Sequence, residues 1–394
     1  MFILEEPYVS KLLLKTLSKN RFEVLENDFI KNLPNKPFGL NFVPYDKAKN
    51  VIEKGKVYSN SENSINFITE NCPNSNLARL IELCKDKIKF REALKPLYPE
   101  FFFKELSVDE LDNMEFENVG KPFIIKPAVG FLSLGVHKVR NKEEWEKVKK
   151  DIKAEIFEIS KLFPKSVLNI SKFILEEIIV GEEFALDVYY NSNKEPVILN
   201  ILKHPFLDGD DVSDRAYITS RTVIEENLGC FEKVLAKAGK TFELNFLNIE
   251  NFPMHIELIK KQDGEVIPVE INPMRFAGWC TTDLAYFSFG INVYEYFEQG
   301  KKPDWTAILT EKKDEIFYFA IAERPKELKT DNFKFDYEAL YQNFSNILEK
   351  REINYKEKPV CAILFGSTKE MSEIGKILRL DMKSFVKSTK SICK

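Results

Sequence analysis

The sequence predicts a multidomain chain of mixed α/β and α+β class: an N-terminal α/β unit, a larger middle unit and a small C-terminal α+β appendage. Three observations lead there. At 394 residues the chain exceeds what one core comfortably organises, and 44% hydrophobic residues supply more than one. In residues 1–85 short apolar runs alternate with amphipathic ones, the pattern of parallel strands joined by helices. Further on, apolar runs come in pairs across tight polar turns, the pattern of antiparallel hairpins. The expected units are 1–85, 86–310 and 311–394.

Phe2 to Leu4 reads as a buried strand and Val9 to Asn20, with Leu12, Leu13 and Leu17 on one side, as the following helix. Val24-Leu25 and Phe38 to Val43 continue the alternation. No Gly-x-Gly-x-x-Gly follows the first strand, so dinucleotide binding is not assigned. Ser59-Asn60-Ser61-Glu62 reads first as a capped loop before a helix, and second as a substrate contact. Asp86 to Arg91 opens a basic helix, for which a solvated charged face is the default.

Pro122 to Lys126 is an apolar strand ending on lysine, followed by Pro127 to Val136 with Gly130, Ser133 and Gly135. Backbone N–H groups of such a loop can approach phosphate, although an ordinary turn packing Phe131 and Leu132 is the competing reading. Asn141 and Glu144 begin a Lys/Glu-rich helix towards Phe163-Pro164. Phe173 to Ile179, Phe184 to Tyr190 and Val197 to Lys203 read as strands, His204 to Arg215 as an Asp-rich rim, and Thr222 to Gly239 as a helix stopped by its glycine. Ile316 to Ile321 and Val360 to Phe365 supply strands for the appendage, and Lys383 to Lys394 reads as a solvated tail.

The most informative stretch runs from Met254 to Arg275. Asp263-Gly264 is a hairpin signal of the type I′ kind. Counting back from such a turn pairs Leu258 with Val269, Ile256 with Ile271, Glu257 with Glu270, and His255 with Asn272. One face is core; the other carries two opposed carboxylates, which repel unless a cation lies between them. Two carboxylates and an amide are hard oxygen donors that suit magnesium, with manganese as the alternative metal. The competing reading is a solvated face whose glutamates meet lysines.

Composition narrows the class further. With 58 basic against 62 acidic residues the net charge is -4, which argues against nucleic acid or an anionic membrane as the main partner. Six scattered cysteines without Cys-x-x-Cys, and three histidines, make zinc sites and disulfides unexpected. The N-terminus lacks a signal pattern and no run approaches a membrane span, so a cytoplasmic protein is expected.

Taken in order, Asp86-Lys87, Ile125-Lys126-Pro127 with Gly130 to Val136, Glu176-Glu177-Ile178-Ile179-Val180-Gly181-Glu182-Glu183, then Glu257 and Glu270-Ile271-Asn272-Pro273 resemble the ATP-grasp superfamily over roughly 86–300. The resemblance implies ATP held between two α+β lobes, with a lid at about 116–174, behind an N-terminal pre-ATP-grasp domain. Lys87 and Lys126 would then touch phosphates, and the loop bearing Gly130, Ser133 and Gly135 would cover them. Glu176 and the backbone of Glu177 to Ile179 would meet the adenine edge, Glu183 the ribose, and Glu257, Glu270 and Asn272 magnesium. Relatives that join carboxylates to amines commonly place arginine directly after Asn-Pro; here Met274 intervenes before Arg275.

The chemistry implied is ATP-dependent activation of a carboxylate as an acyl phosphate and its transfer to an amine, both small molecules. Lys126, Arg275 and Arg215 are the expected catalytic cations, and Lys203 and Arg221 lie in the same stretch, with a surface role favoured for Arg221. His204, His255 and Cys280 are read as structural. The alternatives are a thiol ligase, a bicarbonate-activating carboxylase or a kinase, or a nucleotide-binding scaffold without turnover. A homodimer stays open.

Overall fold

The computed structural model describes all residues except 35, 130–134, 163–168, 208–213, 326–332 and 389–394, and only the backbone of 156–162, 169–171 and 388. Gly130 and Ser133, and much of the Asp-rich rim, therefore lie outside the described residues.

Strands β1 (Phe2–Ile3), β2 (Glu23–Leu25), β3 (Asn41–Val43) and β4 (Tyr58–Ser59) form a parallel sheet in the order β3-β2-β1-β4. Helices α1 (Lys11–Asn20), α2 (Asp28–Asn32), α3 (Tyr45–Glu53), α4 (Ile65–Asn71) and α5 (Asn76–Lys85) complete the unit. Phe2, Ile3, Val24 and Leu25 are buried, as expected of a parallel sheet covered by its crossover helices. Helix α1 starts at Lys11 rather than Val9 because the Ser10 side chain accepts from the Leu13 N–H.

After α6 (Lys87–Leu94) comes the lid: β5 (Phe103–Ser107), β6 (Phe123–Val129), β7 (His137–Val139), α7 (Lys142–Leu162) and β8 (Asn169–Glu177), with antiparallel order β5-β8-β6-β7. The lid sheet is wider than 116–174, since β5 precedes that range and β8 runs past it. Phe123, Ile125, Phe173 and Leu175 pack with Trp145 in the lid core. Strand alternation then puts Ile124, Lys126, Ile174 and Glu176 on the other face.

Strands β9 (Glu182–Tyr190), β10 (Pro196–Lys203), β11 (Ala216–Thr219), β12 (Phe252–Lys260) and β13 (Val266–Pro273) belong to an eight-stranded sheet. The segment after residue 310 adds β14 (Ile316–Glu323), β16 (Ile347–Glu352) and β17 (Val360–Thr368) to the same sheet, giving the order β13-β12-β9-β10-β11-β14-β17-β16. Ala216 stands opposite Ala320 and Thr219 opposite Phe317, so the C-terminal α+β segment extends the central sheet. Only β15 (Phe333–Phe335) and β18 (Val386–Ser388) pair separately among the described residues. Among the described residues no helix is long and apolar enough to cross a membrane.

Helix α8 (Arg221–Leu244) runs straight through Gly239. The glycine is not a stop but a site of close approach: a Cβ there would lie 2.8 Å from the Tyr190 ring and 3.0 Å from Ile249 Cδ1. Overpacking costs about 1–3 kcal/mol, whereas the gain in helix propensity is about 1 kcal/mol. Gly239→Ala is therefore expected to lower stability in urea unfolding; a raised midpoint would contradict this packing.

The hairpin departs from the expected turn, and two departures cancel. The Lys261 carbonyl accepts from Gly264 N–H and Lys261 N–H donates to the Glu265 carbonyl, closing a three-residue loop with Gly264 at φ +88°. That loop shifts the pairing by one residue, so Leu258 faces Pro268 instead of Val269. A bulge at Val269 restores it: Glu257 faces Glu270, Ile256 faces Ile271 and His255 faces Asn272. Pro268 is tolerated because β13 is an edge strand.

Candidate active site

Glu257 and Glu270 thus stand side by side on one face of β12 and β13, with Asn272 two residues along. Burial and the charges of Glu270, Glu183 and Asp214 push the Glu257 carboxyl well above the usual carboxylate range, while Arg275 opposes the shift. Burial also pushes Glu270 up, but Lys87, Lys85 and Lys126 outweigh it and hold that carboxyl down. Lys87 Nζ lies 3.2 Å from Glu270. The cluster therefore carries more negative charge at Glu257 than its lysines and arginine offset. Such a donor set fits a divalent cation. Among the described residues no three His, Cys, Asp or Glu side chains converge into a self-sufficient cage, so the Asn272 amide and non-protein oxygens would have to complete the shell.

Helix α6 starts where the Asp86 side chain accepts from the Ile88 and Lys89 N–H groups. Its Lys87 and Arg91, four residues apart, share one face and are buried, contrary to the solvated face expected from composition. On the lid, Lys126 Nζ lies 2.6 Å from Glu176, which also accepts from Arg91 Nε–H. Burial pushes the Glu176 carboxyl up, but Lys126 and Arg91 overcome it and hold it at about 2. Burial, with the Arg91 and Lys87 charges, lowers the Lys126 ammonium against the pull of Glu176. Sequence reasoning missed Arg91; the available signal was its four-residue spacing from Lys87.

At the far end of β13, Met274 takes a left-handed conformation, φ +64°, donates to the Pro253 carbonyl and accepts from Ser59 N–H. That turn absorbs the intervening residue, and Arg275 Nη2 reaches Glu62 at 2.8 Å. Glu62 also binds Lys85 at 2.5 Å. The loop Ser59 to Glu62 therefore does more than cap a helix: it ties the N-terminal unit to Arg275. Burial raises the Glu62 carboxyl, yet Lys85 and Arg275 prevail and hold it at about 2, against an ordinary 4.5. A carboxyl lowered by folding stabilises the fold above its unfolded value, and that contribution fades as pH falls from about 4.5 towards 2. Wild type should lose up to about 3 kcal/mol more than Glu62→Gln across that window, read as the difference between their acid unfolding curves.

Other expected residues are placed differently. Arg215 Nη1 donates to the Leu378 carbonyl at 3.1 Å, at the end of the helix Met371–Leu378, beside Leu340, Phe344 and Ile377. It lies against the core of the C-terminal strands, where that helix end needs a donor. Lys203 pairs with Glu182, and Arg221 with Glu225. Glu177 binds Lys121 at 2.6 Å while its N–H donates to the Phe102 carbonyl, and Ile179 follows in the segment between β8 and β9. Glu183 Oε1 lies 3.1 Å from His204 Nδ1, whose ring stacks on Tyr217. Gly135, φ +71°, sits over Pro127. His255 Nδ1 meets the fully buried Asp187 at 2.9 Å, and Asp187 accepts from Ala277 N–H, a bracing role. Cys280 is buried and its thiol is pushed up to about 11 by that burial, as suits a packing residue.

A lid sheet facing an antiparallel sheet, with lysines on one side and paired carboxylates on the other, is the ATP-grasp architecture. Residues 119–283 match the ATP-grasp domain, so the chain carries an ATP-grasp domain over that stretch. Its fold is similar to that of an L-amino acid ligase from Bacillus licheniformis, at 17% identity and TM-score 0.64, covering 99% of this chain and 98% of that one. It is also similar to a phosphoribosylglycinamide synthetase from Anaerococcus prevotii, at 16% identity and TM-score 0.55, covering 99% of both. A third is the biotin carboxylase domain of 2-oxoglutarate carboxylase from Hydrogenobacter thermophilus, solved with MgADP and bicarbonate, at 12% identity and TM-score 0.59, covering 99% of this chain and 91% of that one. No curated protein matches the chain by sequence.

Proposed function

We propose that the protein is an ATP-dependent ligase that activates a carboxylate as an acyl phosphate and joins it to an amine. The observation that carries this is the convergence of Glu257, Glu270 and Asn272 with Lys87 from α6, Lys126 from the lid and Arg275 from the loop after β13. The similar ligases named above support it.

In this reading Glu176 and the backbone from 177 to 179 hold the adenine edge, Glu183 the ribose, and Lys87 and Lys126 the phosphates. Gly135 belongs to the loop that closes over them. Glu257, Glu270 and Asn272 would hold magnesium, which supplies charge neutralisation on the phosphates. A carboxylate oxygen of the acid attacks the terminal phosphorus of ATP, breaking its bond to the bridging oxygen and releasing ADP. Lysines aimed at the transferring group stabilise the charge that develops there. The amine nitrogen then attacks the acyl carbon and loses a proton as inorganic phosphate departs. Arg275, whose charge reaches Glu257, would offset the charge on the acyl oxygen. No side-chain nucleophile is needed.

The test is a panel of carboxylic acids crossed with amines, scored by amine-dependent ADP release and product mass, with hydroxylamine as the trapping amine. Formation of the acid's hydroxamate supports the reading. A stable phosphoester, or turnover only with bicarbonate, would replace it with a kinase or a carboxylase.

A further inference from the structure

Arg91 joins three elements far apart in sequence. Its Nε–H donates to Glu176 on β8, its Nη1–H donates to the Pro268 carbonyl on β13 at 2.6 Å, and its guanidinium lies over the Phe101 ring at 4.4 Å. The remaining nitrogen, Nη2, is fully buried and has no hydrogen-bond partner among the described residues. A donor stranded in this way is costly, and each such case calls for a physical reason.

Guanidinium geometry supplies one. Nη2–H lies on the same edge as Nε–H, the edge that can grip a carboxylate through two parallel bonds. Glu176 uses only Oε1 on that edge, because Oε2 is drawn to Lys126 at 2.6 Å. Lys126 is also the lysine assigned to the phosphates, so it has two calls on one ammonium. Were it to leave with nothing to replace it, a buried carboxylate oxygen would lose its charged partner.

We propose that Arg91 is the standby partner of Glu176. As Lys126 turns to the nucleotide phosphates, Glu176 Oε2 rotates onto Nη2–H, and the carboxylate becomes bidentate on Arg91. Arg91 is thus a positioning residue that lowers the cost of releasing Lys126 through its hold on Glu176. This rests on the nucleotide reading of the site given above.

The experiment is calorimetric titration with MgATP of wild type, Arg91→Lys, Arg91→Met, Lys126→Met and Arg91→Lys/Lys126→Met. Arg91→Lys keeps the charge but not the two-donor edge; it is expected to weaken binding about fivefold, and Arg91→Met about tenfold or more. In the Lys126→Met background, where no lysine needs release, Arg91→Lys should change affinity less than about twofold. Wild-type affinity in Arg91→Lys, or an equal loss with and without Lys126, would overturn the hand-off and leave the nucleotide site standing. Failure of the wild type itself to bind MgATP would overturn both. Should Arg91→Met not fold, the lysine variant carries the test.

Discussion

Glu257→Gln is expected to raise the stability of the ligand-free protein while removing its turnover. The carboxyl sits beside Glu270, Glu183 and Asp214, so neutralising it relieves like-charge repulsion in a buried place. The same change removes a hard donor from the cation shell and should lower kcat by about two to three orders of magnitude. Glu270→Gln has the same catalytic consequence but the opposite sign in stability. It removes a carboxylate charge 3.2 Å from the buried Lys87 ammonium. The check is thermal unfolding without nucleotide, paired with ADP release at saturating substrates. Two variants shifted in the same direction would contradict the charge balance described here.

Lys126→Met should have an effect of similar size on kcat/KM for ATP, a loss of about two to three orders of magnitude, because the lid lysine faces the transferring phosphoryl group in the proposed reaction. Its effect on stability is expected to be modest. Removing one member of a buried ion pair usually costs several kcal/mol, but Glu176 keeps Arg91. Steady-state kinetics with ATP as the varied substrate, alongside urea unfolding, separates the two effects. A large loss of stability with little change in kcat/KM would make Lys126 a structural residue.

Local pattern made much of this readable in advance. The parallel N-terminal sheet followed from apolar runs spaced by helices, and the opposed carboxylates followed from a turn signal and strand alternation. The turn type was misread and the pairing survived only because of the bulge at Val269. That bulge lies beside Pro268, whose carbonyl is held by Arg91, a contact across 177 residues that no local window contains. For the same reason Arg91 read as solvated: its burial depends on Glu176, 85 residues away. Arg215 lies in a stretch of cations whose partners are set by long-range packing, and its acceptor, Leu378, is 163 residues on. The pairing of β11 with β14 is equally non-local, so the attachment of the C-terminal strands to the central sheet had no local signal.

The measurement that bears most directly on the site is the affinity of the wild-type protein for ATP, determined with and without magnesium, beside that of the Glu257→Gln/Glu270→Gln double variant. Paired carboxylates that grip a cation shared with the nucleotide predict tight binding in wild type only with magnesium, and loss of that dependence in the variant. Affinity that is indifferent to magnesium in wild type, or a magnesium effect that survives in the variant, would contradict the account.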